Sequence, residues 1–144
     1  MIFGKRVGQA HAETCGPSGG RFGIGQCFEG AVAHYLAGQG YELLFRNYRV
    51  RGGEIDLIMK KDDILAFIEV KAREESDNLR KYGRPSDAVD YRKRAHIITA
   101  ADDYLKSHPS IGRPRIDVVE VYYNRYGEFI LMRFKHITNA FGRR

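Results

Sequence analysis

The stretch "GGEIDLIMKKDDILAFIEVKAR", Gly52 to Arg73, decides the fold. Two runs within it, Glu54–Lys60 and Ile64–Ala72, are short and rich in β-branched and aromatic residues, which favours strands over helix. Asp62 and Asp63 sit at the centre of a tight turn between them. An antiparallel hairpin about that turn sets Asp56 opposite Glu69, and directly opposed residues carry Cβ atoms about 4.5–5.5 Å apart. Side chains alternate along a strand, so Lys71 shares the face of Glu69 and Glu54 shares the face of Asp56. Two acids and a lysine therefore interrupt runs that are otherwise apolar.

Like charges opposed in this way destabilise a hairpin, and two close carboxylates resist joint ionisation. A hard divalent cation such as Mg²⁺ relieves both problems, because it takes carboxylate oxygens and keeps several waters. Such a site suits hydrolysis of a phosphodiester, with the cation activating water and a lysine stabilising the developing charge. The plainer alternative is a solvated strand face on which Lys71 pairs with Glu69 or Asp56.

Outward from the hairpin, the pattern of the chain predicts α-β-β-β-α-β-β. Phe28, Ala31, Val32, Tyr35 and Leu36 form one helical stripe, ended by Gly38 and Gly40. A strand at Tyr41–Arg49 precedes the hairpin. Residues 74–86 read as a polar loop. A long helix from Asp87 to Ser107 carries a stripe of Tyr91, Ala95, Ile98, Ala101 and Leu105. Strands at Ile116–Tyr123 and Glu128–His136 close the chain, with a turn between them. This order implies an α/β fold, one mixed sheet flanked by helices. Residues 1–24 are Gly-rich and read as a flexible arm, leaving 25–144 as a single domain.

The 144 residues are enough for one domain with its own core. The net charge of +6 favours polyanionic partners, although 18 acids are present. The two cysteines, Cys15 and Cys27, read as reduced thiols of a cytoplasmic protein. No run of about 20 apolar residues suggests a membrane span. None of the five histidines, His11, His34, His96, His108 and His136, forms a close metal-ligand pair in sequence. Asp117 lies in an apolar strand, where pairing with Arg115 or another cation is expected.

Several stretches carry a family resemblance. Asp56, twelve intervening residues, then Glu69-Val70-Lys71 resembles the PD-(D/E)xK signature of restriction-endonuclease-like nucleases. "NYR" at 47–49, "GEIDLI" at 53–58, "FIEVKAR" at 67–73, "AV" at 88–89 with "RK" at 92–93, "DVV" at 117–119 and "NAF" at 139–141 together resemble the YraN family, which is similar to archaeal Holliday-junction resolvases. The resemblance spans residues 25–141. Phe28 replaces a glycine common in the family, and Ile116 a phenylalanine. It implies a restriction-endonuclease-like α-β-β-β-α-β core and an endonuclease that acts on DNA with Mg²⁺ or Mn²⁺, on branched or flapped structures in repair or recombination. Carried over by position, Asp56 and Glu69 are the metal-binding acids, joined by the Val70 carbonyl. Lys71 is the catalytic lysine. Glu29 is the early acid of the resolvase-like branch, and Glu54 supports the site. Resolvase-like relatives act as dimers, so a homodimer is a candidate assembly, through the exposed faces of the last two strands.

Arg46, Arg49, Arg51, Arg73, Arg92 and Lys93 surround the acidic motif and form a candidate DNA-binding rim, joined by Arg80, Lys81, Arg84 and Arg94. Tyr82 and Tyr91 are further candidates for contacts to bases or sugars, although Tyr91 fits the helix core better. An alternative from another class is a non-catalytic nucleic-acid-binding protein that retains the nuclease fold, with the rim carrying the function.

Overall fold

The hairpin forms in the register its sequence requires. In the computed structural model, which describes residues 5–12, 24–75, 90–109, 112–127 and 129–142, β3 (Gly53–Lys61) and β4 (Ile64–Glu74) pair antiparallel from Lys61↔Ile64 to Leu57↔Ile68. Asp62 adopts a positive φ of 54° in the turn, a conformation Asp tolerates better than most residues. The other described elements are β1 (Lys5–Ala12), α1 (Ile24–Ala37), β2 (Glu42–Val50), α2 (Tyr91–Ser107), β5 (Arg113–Tyr126) and β6 (Phe129–Ile137). They build a six-stranded sheet in the order β1-β6-β5-β4-β3-β2, in which β4 and β5 run parallel and every other pair is antiparallel.

A parallel pair needs a crossover, and α2 supplies it between β4 and β5. The sheet is consequently covered on both faces. Phe28, Val32 and Leu36 of α1 pack on Leu57, Met59, Ala66, Ile68, Val119 and Phe134. On the other face, Ile97, Ala100, Ala101 and Tyr104 of α2 pack on Ile55, Ile58, Leu65, Phe67 and Val118. Burial on both sides is why the two hairpin strands read as nearly continuous apolar runs. Each such side chain contributes about 1.5–3 kcal/mol.

Gly53 sets how closely α2 approaches. A Cβ at this position would stand 2.4 Å from the His96 carbonyl oxygen and 2.8 Å from the Ala100 nitrogen. Only glycine lets β3 begin directly beneath the helix. This contact holds the first turn of α2 over the carboxyl groups that follow Gly53.

Four expectations need correction. Lys5–Ala12, read as part of a flexible arm, is a strand paired antiparallel to β6. Its sequence lacks strong strand propensity; the open edge of β6 supplies the pairing. The rest of the arm and most of the loop at 74–86 lie outside the described residues, as do Arg80, Lys81, Tyr82 and Arg84. The second helix is capped at Asp90, whose side chain accepts a hydrogen bond from the Lys93 N–H, so the helix begins at Tyr91 rather than Asp87. Its buried stripe is Ile97, Ala100, Ala101 and Tyr104, while Tyr91 and Ala95 are exposed. The expected stripe was rotated toward the flank because alanines and β-branched residues occupy both sides. Finally, Cys27 is disulfide-bonded rather than reduced, which the argument from compartment did not anticipate. Cys15 lies outside the described residues.

The apolar strand β5 also carries a buried polar hub. Asp117 is fully buried and accepts hydrogen bonds from Arg115 (2.8 and 2.9 Å), His136 Nε2 (2.8 Å) and the Asn139 N–H (2.9 Å). Arg115 also donates to the Tyr41 hydroxyl. Asp117 thus ties β5 to β6 and to the C-terminal turn, where Asn139 holds a positive φ. Burial alone would raise its pKa, but the bonds from His136 and Arg115 outweigh burial and hold it below the usual carboxylate value. Its stabilising contribution is therefore present above the ordinary carboxylate pKa and is lost as pH falls through the lowered folded value. Asp117→Ala leaves half-buried Arg115 and buried His136 without this acceptor, so denaturant unfolding at neutral pH is expected to show a loss of roughly 3–5 kcal/mol. A loss under about 1 kcal/mol would contradict this account of the hub.

Candidate functional site

The sheet is irregular at the level of Asp56 and Glu69, and the charged residues gather there. β2 pairs with β3 on either side of Asn47 and Asp56, through Arg46↔Leu57 and Tyr48↔Ile55, but these two residues are not themselves paired. Asn47 is left-handed, with φ 54°. β3 and β4 also stop pairing beyond Leu57↔Ile68. Asp56 and Glu69 therefore do not form the ladder pair that a regular hairpin would give. Instead the strands part, and Asp56 Oδ2 accepts the Val70 N–H at 2.8 Å. The side chain of one strand replaces the backbone partner the other has lost.

Glu69 projects into this opening. It is 2% exposed, so the strand face is not solvated at Glu69. Lys93 Nζ, from the first turn of α2, lies 3.3 Å from Glu69 Oε1 and 3.0 Å from Glu54 Oε1. Lys71 Nζ lies 3.5 Å from Glu69 Oε1, as their shared face requires. Glu29, on α1, approaches Asp56 from the other side and has Arg46 Nε at 3.9 Å. Three acids from α1, β3 and β4 thus meet beside a lysine from β4 and a second from α2.

The electrostatics are frustrated. Burial, then the neighbouring Asp56 charge, push Glu69 up to about 8 despite the two lysines. Burial and Asp56 likewise push Glu29 up to about 7. Glu54 is held below the usual value by its hydrogen bond to Lys93. For Lys93, burial works against the charge, but Glu69 and Glu54 prevail and raise its pKa. Glu69 Oε2 and Glu29 Oε2 are buried without a hydrogen-bond partner.

This donor set fits a hard cation. It offers carboxylate oxygens of Asp56, Glu69 and Glu29, two of them buried without a hydrogen-bond partner, and a hard cation takes such oxygens. Among the described residues no group of three or more His, Cys, Asp or Glu side chains is placed to hold a metal ion. The expected set is smaller: Asp56, Glu69 and the Val70 carbonyl, with water completing the shell of an ion such as Mg²⁺.

The rim separates into two groups. Arg46 and Lys93 turn inward to Glu29 and Glu54. Arg49, 3.8 Å from Glu54 and largely exposed, stands at the mouth, and Arg51 and Arg92 are exposed. Arg73 lies two residues beyond Lys71 on the same strand face, half-buried. Sequence reasoning gave Lys93 to the rim; its place among the acids depends on helix docking, which local pattern does not encode. Asn47, which hydrogen-bonds Glu29, was missed as well. So was Glu120, a buried acid in register with Lys71 that accepts from the Tyr122 hydroxyl. Its signal was present, as a single acid inside "VVEV".

The profile of the uncharacterised protein family UPF0102, the YraN family, matches residues 28–121. Among curated relatives, a UPF0102 protein of Caldanaerobacter subterraneus is 37% identical over 119 residues, covering 82% of this chain and 93% of the relative. One from Parafrankia is 41% identical over 123 residues, covering 85% and 94%. One from Chloroherpeton thalassium is 44% identical over 99 residues, covering 68% and 74%.

The raised pKa of Glu69 fixes the sign of a pH effect. Between about 4.5 and 8 the folded chain holds a proton that the unfolded chain releases. Stability linked to Glu69 is thus complete below that window and is lost as pH rises through it. Without divalent ions, Glu69→Gln is expected to exceed wild type in stability by roughly 2–4 kcal/mol near pH 8, and to show no advantage near pH 4. Denaturant titrations at both pH values check this; an equal difference at the two contradicts it.

Proposed function

We propose that this chain, which belongs to the uncharacterised protein family UPF0102, is a divalent-metal-dependent endonuclease that hydrolyses phosphodiester bonds in DNA. The observation that carries the reading is the buried, unsatisfied Glu69 carboxylate beside Asp56, with two lysines within 3.5 Å of it. A structural ion pair has no need to leave buried carboxylate oxygens without a partner, and burying such groups costs several kcal/mol. A bound cation offsets that cost.

Asp56 and Glu69, with the Val70 carbonyl, would hold Mg²⁺ or Mn²⁺. Bound there, the ion supplies Lewis acidity to a phosphodiester and to water. The chain's own groups do the rest. The Val70 N–H fixes the Asp56 carboxylate in orientation. Lys71 lies close enough to position the attacking water and to stabilise charge that develops on the phosphoryl oxygens. Lys93 neutralises Glu69 and Glu54 and adds a second cation facing the scissile phosphate. Glu29, with a pKa of about 7, is suited to exchange a proton with water near neutral pH. Arg49 at the mouth, the exposed Arg51 and Arg92, and the net charge of +6 favour a polyanionic strand.

The ion pairs of Glu69 also support the binding-only reading, in which the acids stabilise the fold and the rim alone meets nucleic acid. Cleavage of labelled duplex, flap and four-way-junction DNA separates the two. Wild type is expected to cut in Mg²⁺ or Mn²⁺ and not in EDTA. Asp56→Ala and Lys71→Ala should each lose at least about 100-fold in rate while remaining folded. Undiminished cutting by both variants rules out the nuclease, and salt-sensitive binding with no cutting in either metal establishes the alternative.

A further inference from the structure

Glu120 on β5 is a fully buried acid that the catalytic reading leaves without a task. One of its oxygens accepts from the Tyr122 hydroxyl, and the other, Oε1, has no hydrogen-bond partner. Its neighbours across the sheet are lysines: Lys71 on β4 and Lys135 on β6 are both in register with it. In-register residues of adjacent strands project from the same face, and such strands stand about 4.8 Å apart. Yet neither lysine forms an ion pair with it. A buried carboxylate short of a cation is costly, and the bond from Tyr122 accounts for only one of its oxygens.

The missing pair has a geometric cause. Lys71 reaches back along β4 to Glu69, two residues earlier, with Nζ at 3.5 Å from Oε1. Glu120 reaches forward along β5 to Tyr122, two residues later. The strands are parallel, so the two side chains lean apart from a shared level. The position of Lys71 depends on Glu69, the very carboxylate that a divalent cation would take. A cation there repels the ammonium and claims its acceptor. Lys93 keeps Glu54 at 3.0 Å when Glu69 is claimed. Lys71 has no second ion pair among the described residues, and the carboxylate in register with it is Glu120.

We infer that Glu120 is the second seat of Lys71: when a divalent cation occupies Asp56 and Glu69, the Lys71 ammonium moves from Glu69 to Glu120 Oε1. Glu120 is then a positioning residue. It frees the Glu69 oxygen for the cation and keeps Lys71 charged one strand away. This rests on the reading of the acidic centre as a divalent-cation site.

Calorimetric titration of Mn²⁺ into wild type, Glu120→Gln, Lys71→Ala and the double variant tests it without recourse to cleavage. Glu120→Gln is expected to weaken Mn²⁺ binding by about 10- to 100-fold, because Lys71 then competes for Glu69 with nowhere else to go. In the Lys71→Ala background the same change should cost at least about tenfold less, since no ammonium needs the second seat. Lys135→Ala should leave the Glu120→Gln loss unchanged. Losses equal within about twofold in the two Lys71 backgrounds mean that Glu120 acts only through its field, and they overturn the inference while leaving the cation site intact. A loss that depends on Lys135 instead of Lys71 also overturns it. Gln keeps the shape of Glu and an acceptor for Tyr122, so metal-free melting should not fall below wild type. A crystal structure of wild type with Mn²⁺ bound gives a second measurement that needs no variant: Lys71 Nζ should lie within ~4 Å of Glu120 and away from Glu69. Lys71 still on Glu69 overturns the inference. Absence of Mn²⁺ binding in wild type overturns both the inference and the reading of the centre.

Discussion

Glu69 is a carboxylate buried at the point where two strands separate, and the surrounding structure is arranged about it. β3 and β4 pair regularly up to Leu57↔Ile68 and no further. Continued pairing would give an ordinary sheet with Asp56 and Glu69 forced together across a ladder. By parting there, the strands give Asp56 a backbone N–H to accept and leave Glu69 one oxygen without a partner. The left-handed Asn47 on β2 marks the same level, so the irregularity crosses three strands. Unmet charge of this kind costs stability, and Glu29 Oε2 at the same site is likewise without a hydrogen-bond partner.

The comparison with Asp117 makes the point. Both acids are buried in the same sheet. Asp117 receives two guanidinium bonds, an imidazole bond and a backbone N–H, and its pKa lies below the ordinary value. Glu69 has two lysines against it, yet burial and Asp56 raise its pKa to about 8. The first acid is saturated and anchors β5 to the C-terminal turn. The second remains short of positive charge. Saturated buried charge reads as architecture, and unsaturated buried charge beside a mouth of exposed arginines reads as a place for a ligand.

Much of this was legible in sequence, for identifiable reasons. The β3–β4 register followed from one short turn and two apolar runs, which carry Asp56, Glu69 and Lys71 to one end of the hairpin; the parting of the strands before Asp56 and Glu69 did not follow from them. The stripe of α1 was clear because Phe28, Val32 and Leu36 are large and regularly spaced. The stripe of α2 was not, because Ile97 and Ile98 sit side by side and small alanines line both flanks; Tyr104 was missed and Tyr91 assigned to the core. β1 has no pattern of its own and exists through the edge of β6. Lys93 reaches Glu69 because Gly53 admits the helix to within backbone contact of β3, a fact of docking distance. His136 joins Asp117 across nineteen residues of chain by strand pairing, which no local pattern announces.

If the centre is built for a divalent cation, the ion must displace protons from carboxyl groups that hold them at neutral pH. Calorimetric titration of Mn²⁺ into the protein near pH 7, in two buffers of different ionisation enthalpy, measures affinity and proton release together. The account predicts saturable binding accompanied by proton release in wild type, and loss of both in Asp56→Asn. Binding that is absent from wild type, or that persists unchanged in Asp56→Asn, would contradict it.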